Sequence, residues 1–300
     1  MPPSMGTTTS GISILIVADN RADDGLLAEH GLSLLVEVGD HQLLFDTGQG
    51  TSLRHNAQRL GVPLYRTEWL VLSHGHYDHT GGLPVALEHA RNALVYCHPA
   101  VTWPRTSIRG GTPKQIGMPA AATDALASLG PQRIRFVTEP TAILPDVGIT
   151  GPIPRREGPG PNSVFFLDDS GRHPDPLEDD MALWLRAAGG LVVCCGCCHS
   201  GLSNTLEQAQ RAAETSKVHA VIGGLHLAEA SDRDIDRAAS LLAHLDVALV
   251  VPCHCTGERA TARLQKALGD RVTPGQAGMR LVLETASALY PAHPEPRKEL

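Results

Sequence analysis

The chain has 300 residues, enough for one large or two modest domains. Hydrophobic residues make up 42%, ample for a buried core, but aromatic residues only 4%, so that core must be mostly aliphatic. A formal net charge of -7 without any basic block argues against nucleic acid as a partner.

The first apolar run, ISILIVA (12–18), follows a segment without a basic n-region and is far too short to span a bilayer. It predicts a buried strand rather than a signal peptide or a membrane anchor. LSLLVEVG (32–39) and HQLLFDTG (41–48) predict two more strands, paired as a hairpin around Gly39 and Asp40. A helix is expected over 52–61, ended by Gly61. WLVLSH (69–74) predicts a strand that runs straight into HGHYDH (74–79); a helix over 82–91 and a strand over 93–98 follow.

Residues 100–178 are rich in Gly and Pro, as in TGPIPRREGPGPN (150–162). They predict long loops around short strands at 133–138 and 163–169, a loop-rich insertion over a functional site. Regular order resumes with strands at 181–187 and in GLVVCCGCCH (190–199). Next come a helix over 203–216 capped by Ser203 or Asn204, a strand over 218–227, and a helix over 231–245 capped by Ser231 with acids in its first turn. A strand over 247–254 and a helix over 256–269 complete the alternation. A single domain over 1–300 is expected.

Seven cysteines is an odd number, and four of them sit in CCGCC (194–198). Adjacent cysteines in an apolar strand suit a reducing compartment better than a disulfide framework, which predicts a cytoplasmic protein.

Fifteen histidines is a high count, and His74, His76, Asp78 and His79 fall within six positions. His74 and His76 are two apart at a strand end, so both imidazoles can face one ion. Asp78 and His79 follow after the chain turns and can serve a second. Imidazole and carboxylate together suit zinc, iron or manganese. Gly81 and Gly82 let backbone pass close to the cluster.

HGHYDH with its preceding strand resembles the signature of the metallo-β-lactamase superfamily, and FDTG (45–48) resembles its first motif. The resemblance implies a four-layer αββα sandwich of two mixed sheets with outer helices, and a centre of one or two ions, zinc or else iron or manganese, that activates water. It also implies that Asp46 orients the metal-loop backbone or a ligand. AEHGLSLLVE (28–37), GCCHSGLSN (196–204), IGGLHL (222–227) and PCHCTG (252–257) are similar to a branch that includes dihydropterin–ribofuranosylaminobenzene phosphate synthase.

The superfamily supplies three further ligands: a His, an Asp in a Gly-Asp turn, and a late His. Here Gly196 is followed by Cys197 instead of Asp. Cys197 either ligates as a thiolate or packs beside the ligands, and His199 is the favoured ligand of this segment. His226 is the favoured late ligand. His254 then lies close by as proton donor or substrate contact, or is the ligand itself. Cys194, Cys195 and Cys198 are expected to pack as small hydrophobes. A rival reading joins CCGCC and CHC (253–255) in a structural zinc site, but these cysteines should alternate between strand faces. Glu29, His30 and Asn20 can face substrate from an early loop, and His98 is a weaker candidate at another strand end.

The expected function is a metallohydrolase acting on an ester, phosphoester or lactone of a small, anionic molecule, with Asp78 and His254 as proton carriers. The alternatives are a transferase releasing diphosphate from a pterin diphosphate and a non-catalytic metal-binding protein. Arg105, Arg109, Lys114, Arg155 and Arg156 are candidates to neutralise the substrate's charge.

Overall fold

The computed structural model describes residues 11–156 and 164–286. Residues 1–10, expected to hold no leader, and part of the Gly/Pro-rich 150–162 run lie outside the described residues.

The strands are β1 (Gly11–Ala18), β2 (Ser33–Val38), β3 (His41–Phe45), β4 (Trp69–Val71), β5 (Leu94–Cys97), β6 (Thr106–Arg109), β7 (Thr112–Gln115) and β8 (Ile134–Phe136). They continue as β9 (Thr141–Leu144), β10 (Val147–Ile149), β11 (Phe165–Phe166), β12 (Ala182–Ala187), β13 (Gly190–Cys195), β14 (Val218–Gly224), β15 (Leu249–Cys253) and β16 (Arg280–Glu284). The helices are α1 (Thr51–Arg59), α2 (Tyr77–Thr80), α3 (Leu83–His89), α4 (Ala120–Ala127), α5 (Leu202–Ala212), α6 (Asp232–His244) and α7 (Glu258–Leu268).

Two mixed sheets are built, in the orders β16-β1-β2-β3-β4-β5-β8 and β15-β14-β13-β12-β10-β9. In the first, β3, β4, β5 and β8 run parallel; in the second, β13, β14 and β15 do. The apolar runs explain the layering. Strand residues alternate between faces, and here both faces are covered. Ile12, Ile14 and Ile16 of β1 and Val192 and Cys194 of β13 face inward, into a core shared by the two sheets. Leu15 and Val17 face outward, onto Leu53 of α1, Leu83 of α3 and Ala122 of α4. Val193 and Cys195 face the other way, onto Leu206 of α5, Ile235 of α6 and Leu264 of α7. The result is the expected αββα sandwich. Each buried Leu or Ile stabilises it by about 1.5–3 kcal/mol before entropy is counted.

Two features differ from expectation. Ser231 caps α6 by accepting from Asp234 N–H, as expected, but α5 starts at Gly201 (φ 91) and no side chain caps it. Asn204, one of the expected caps, instead donates to Ser200 O and accepts from Arg156 N–H, pinning the loop beside the helix start. The 100–178 stretch holds more regular structure than its composition implies. It contributes α4 and β8 to one half, the β9–β10 hairpin to the other, and a third sheet ordered β11-β6-β7. All seven cysteines are free. Among the described residues no helix is long and apolar enough to cross a membrane.

Candidate metal centre

The site lies where strands end at one edge of the sandwich. Asp46 directly follows β3, His74 lies three residues beyond β4, and Cys197 and His199 follow β13. His226 and His254 follow β14 and β15. The chain turns sharply at each end, and Asp46 (φ 58), His226 (φ 53) and His254 (φ 47) all adopt left-handed backbone. Non-glycine residues held there carry local strain, a condition that concentrates at functional sites.

Hydrogen bonds set which ring nitrogen of each histidine faces the centre. The buried Asp46 carboxylate accepts from Ser73 N–H and Ser73 Oγ, each at 2.7 Å. With its hydrogen given to Asp46, Ser73 Oγ accepts from His74 Nδ1 at 2.9 Å, which leaves the His74 Nε2 lone pair for the centre. His79 Nδ1 donates to Asp46 Oδ2 at 2.7 Å, aiming Nε2 inward. His254 Nδ1 donates to Asn20 Oδ1 at 2.9 Å, with the same effect.

The inward atoms form two groups. His74 Nε2 lies 3.0 Å from His76 Nδ1 and 3.2 Å from His199 Nε2. His79 Nε2 lies 3.2 Å from His254 Nε2 and 3.2 Å from Cys197 Sγ, and His254 Nε2 is 3.3 Å from Asp78 Oδ2. One lone pair on His74 cannot satisfy two facing rings, whereas a cation between them does. In tetrahedral zinc sites ligand nitrogens stand about 3.3 Å apart, so the spacings fit a metal ion. The ligand atoms of His74, His79 and Cys197 also fall within 4.8 Å of one another, which joins the two groups. The outer nitrogens His76 Nε2 and His199 Nδ1 are buried with no hydrogen-bond partner among the described residues, so these rings are held by packing.

The electrostatics differ between the groups. Burial, reinforced by neighbouring imidazoles, holds His74 and His199 well below the usual histidine range. Burial does the same to His76, aided by the positive charge of Arg105. Burial also opposes charge on His79, but the Asp46 carboxylate outweighs it and lifts His79 to about 9. Burial pushes Asp78 up, yet hydrogen bonds from His254 and His30 bring it well below the carboxylate range.

The second half of the site is where sequence reasoning was incomplete. Cys255, which it weighed only for the rival structural zinc site, lies beside Cys197 and His226, and His226 N–H donates to its Sγ at 3.3 Å. Burial pushes the Cys197 thiol up, further raised by the neighbouring Cys255; Cys255 itself is pulled down by hydrogen bonds from Cys197 and His226 against the effect of burial. His226 belongs with Cys197 and His199, while His254 meets His79 and Asp78. Cys194 and Cys195 face opposite cores, and Cys198 and Cys253 are likewise on different sides, so the cysteines do not gather into a four-thiol site.

Other candidates are sorted by their contacts. His30 is exposed at the mouth, with Nε2 3.1 Å from Asp78 Oδ2 and its ring 4.8 Å from that of His254. Glu29 does not face the centre; its carboxylate accepts from Gln49 and Ser52 N–H and secures the start of α1. Asn20 orients His254 and accepts from Gly31 N–H. His98 accepts from Ala100 N–H at a turn. Arg105 is fully buried between Asp175 and Asp179, and Asp179 in turn accepts from Gly75 N–H in the metal loop. Arg155 is bonded to Pro176 O, and Arg156 pairs with Glu207.

Comparison with known proteins identifies the family. The family model of the metallo-β-lactamase superfamily matches residues 27–254. An uncharacterized protein of Methanocaldococcus jannaschii is 32% identical over 255 residues, which cover 84% of this chain and 94% of that protein. The 7,8-dihydropterin-6-methyl-4-(β-D-ribofuranosyl)-aminobenzene-5'-phosphate synthase of the same organism is 28% identical over 268 residues, 83% of this chain and 89% of the synthase. A solved metal-dependent hydrolase of the β-lactamase superfamily is 31% identical with a TM-score of 0.77, over 90% of this chain and 98% of that one. The chain therefore belongs to the metallo-β-lactamase superfamily.

Proposed function

We propose that this protein is a metal-dependent hydrolase that cleaves an ester, phosphoester or lactone of a small anionic molecule. The observation that carries the reading is the pair of adjoining ligand groups around His74, His79 and Cys197. His74, His76 and His199 would hold one ion. Asp78, His79 and His254 would hold a second, with Cys197 between the two. This assignment moves the late ligand from His226 to His254, whose Nε2 is within 3.3 Å of both Asp78 and His79 donor atoms. His226 then borders the substrate space next to Cys255. Nitrogen, carboxylate and thiol donors together suit zinc first and iron second; the thiol makes manganese a poorer match.

An ion in such a site supplies a nucleophilic water near neutral pH and stabilises negative charge on the substrate's oxygen. The chain's own residues do the rest. Asp46 and Ser73 orient His74 and His79, and Asn20 orients His254. His30, exposed and hydrogen-bonded to Asp78, takes or gives a proton at Nε2 at the mouth. The free cysteines suit a reducing compartment, consistent with a cytoplasmic location.

The synthase relative favours a second reading, in which the same donors hold the diphosphate leaving group of a pterin diphosphate and an aromatic amine or carbon nucleophile replaces water. Zinc-loaded protein assayed on bis(p-nitrophenyl) phosphate, p-nitrophenyl acetate and a lactone series separates the two. Metal-dependent turnover of any of these supports the hydrolase. Pyrophosphate release from a pterin diphosphate, with no hydrolysis of the others, selects the transferase. Metal binding with neither activity points to a non-catalytic protein.

A further inference from the structure

The sheet β11-β6-β7 covers the ligand cluster, and its register sorts its side chains between two faces. Phe165 pairs with Ser107, Ser107 with Lys114, and Arg109 with Thr112. Residues directly opposite in an antiparallel pair project to one side, as do residues two apart on a strand. Phe165, Arg109 and Lys114 therefore share a face. Ile108 and Phe166 take the opposite face, where Gly171 backs both.

The Phe165 face is turned to the histidines. Its ring centroid lies 5.3 Å from that of His76, 5.6 Å from His199 and 6.2 Å from His226. Lys114 stands on the His76 side, with Nζ 5.3 Å from the centre of the Tyr77 ring. Arg109 stands on the His226 side, where it pairs with Glu229, three residues beyond His226 in the chain. An apolar ring is thus flanked by two cations above the ligand cluster. Arg105, adjacent in sequence, takes no part because Asp175 and Asp179 hold it in the interior.

The Arg109–Glu229 pair is exposed on both sides, at 48% and 68%. Such a pair is weak and screened, and it yields to a partner of higher charge. A phosphate monoester dianion is such a partner, because the guanidinium fork can give it two charge-assisted hydrogen bonds at once.

We propose that this face is the substrate-binding wall, on which Arg109 and Lys114 hold the phosphate of an organic phosphate ester and Phe165 packs against its planar or apolar body. Glu229 occupies Arg109 until the substrate arrives. The inference rests on the metallohydrolase reading for what is cleaved, but its test concerns only what is bound.

Zinc-loaded wild type, Arg109→Ala, Arg109→Lys, Lys114→Ala and Glu229→Gln are titrated calorimetrically with phenyl phosphate, benzoate and phenol. The dissociation constant for phenyl phosphate should rise about tenfold in each alanine variant, and less in Arg109→Lys. It should fall in Glu229→Gln, where the competing carboxylate is gone. Benzoate should bind wild type more weakly than phenyl phosphate, and phenol not measurably. No binding of phenyl phosphate to wild type, or an affinity unchanged from wild type in both alanine variants, overturns the proposal; tighter binding of benzoate overturns its phosphate assignment. Metal content is measured on the same samples. Wild type without metal would defeat the metallohydrolase reading, while the comparison of Arg109 and Lys114 variants would still decide the anion site.

Discussion

His79 Nδ1 lies 2.7 Å from Asp46 Oδ2, and both side chains are completely buried. The same carboxylate receives the backbone and hydroxyl of Ser73, so one side chain sets the positions of His74 and His79 together. An Asp46→Asn chain keeps the volume but offers only one acceptor oxygen. Such outer partners typically contribute about 10- to 100-fold to metal affinity. Chelator competition should show zinc affinity lowered within that range in Asp46→Asn, with the far-UV spectrum unchanged. Wild-type affinity in this variant would mean that Asp46 does not orient the ligands.

The two ligand groups should differ in their pH dependence. His74, His76 and His199 are held neutral by burial, so an ion entering there displaces no proton near neutral pH. His79 stands at about 9 without metal and Cys197 higher still, so an ion entering between them must displace protons. Protons compete for the second ion as pH falls. Its affinity should therefore rise with pH through about 9, while that of the first stays nearly level from neutral pH upward. Titrations in buffers of different ionisation enthalpy measure this. Two sites with equal proton release would contradict the assignment.

His254 and His226 are separable by substitution. His254→Ala removes a nitrogen 3.2 Å from His79 Nε2 and should lose one of two ions. His226→Ala should keep both ions and lower turnover instead. The reverse pattern would restore His226 as the late ligand.

Gly196 marks the point where the cysteine turn meets the metal loop. A Cβ there would stand 2.1 Å from Ser73 Oγ and 3.1 Å from Asp46 Oδ2, inside van der Waals limits. Gly196→Ala must displace the Ser73–Asp46 pair. Overpacking of this kind costs about 1–3 kcal/mol. Denaturant unfolding should show a loss of that order together with weaker zinc binding. A variant as stable and as tightly metallated as wild type would show that the turn has room to relax.

The sandwich was legible because β1, β2, β13, β14 and β15 are largely buried on both faces and read as mostly apolar runs. α4 and the β9–β10 hairpin were not, since they are short and owe their form to tertiary packing. β16, whose side chains alternate between exposed and half-buried, pairs at the sheet edge with β1, from which it is remote in sequence. Within the centre, HGHYDH announced itself because its donors are neighbours in the chain. Choosing between His226 and His254 depended on how two successive strand ends are placed in space. The role of Glu29 was hidden for the same reason: its partners are the backbone N–H groups of Gln49 and Ser52. The left-handed backbone at Asp46, His226 and His254 had no signal in residue type, since none of them is glycine.

The central claim is that His74 and His76 hold metal on which the chemistry depends. Metal content by plasma mass spectrometry, on wild type and a His74→Ala/His76→Ala variant purified side by side, tests it most directly. The account predicts one or two equivalents of zinc or iron in wild type and a loss of at least the ion shared by His74, His76 and His199 in the variant, with hydrolytic activity lost alongside. A folded double variant that retains its full metal complement would contradict it.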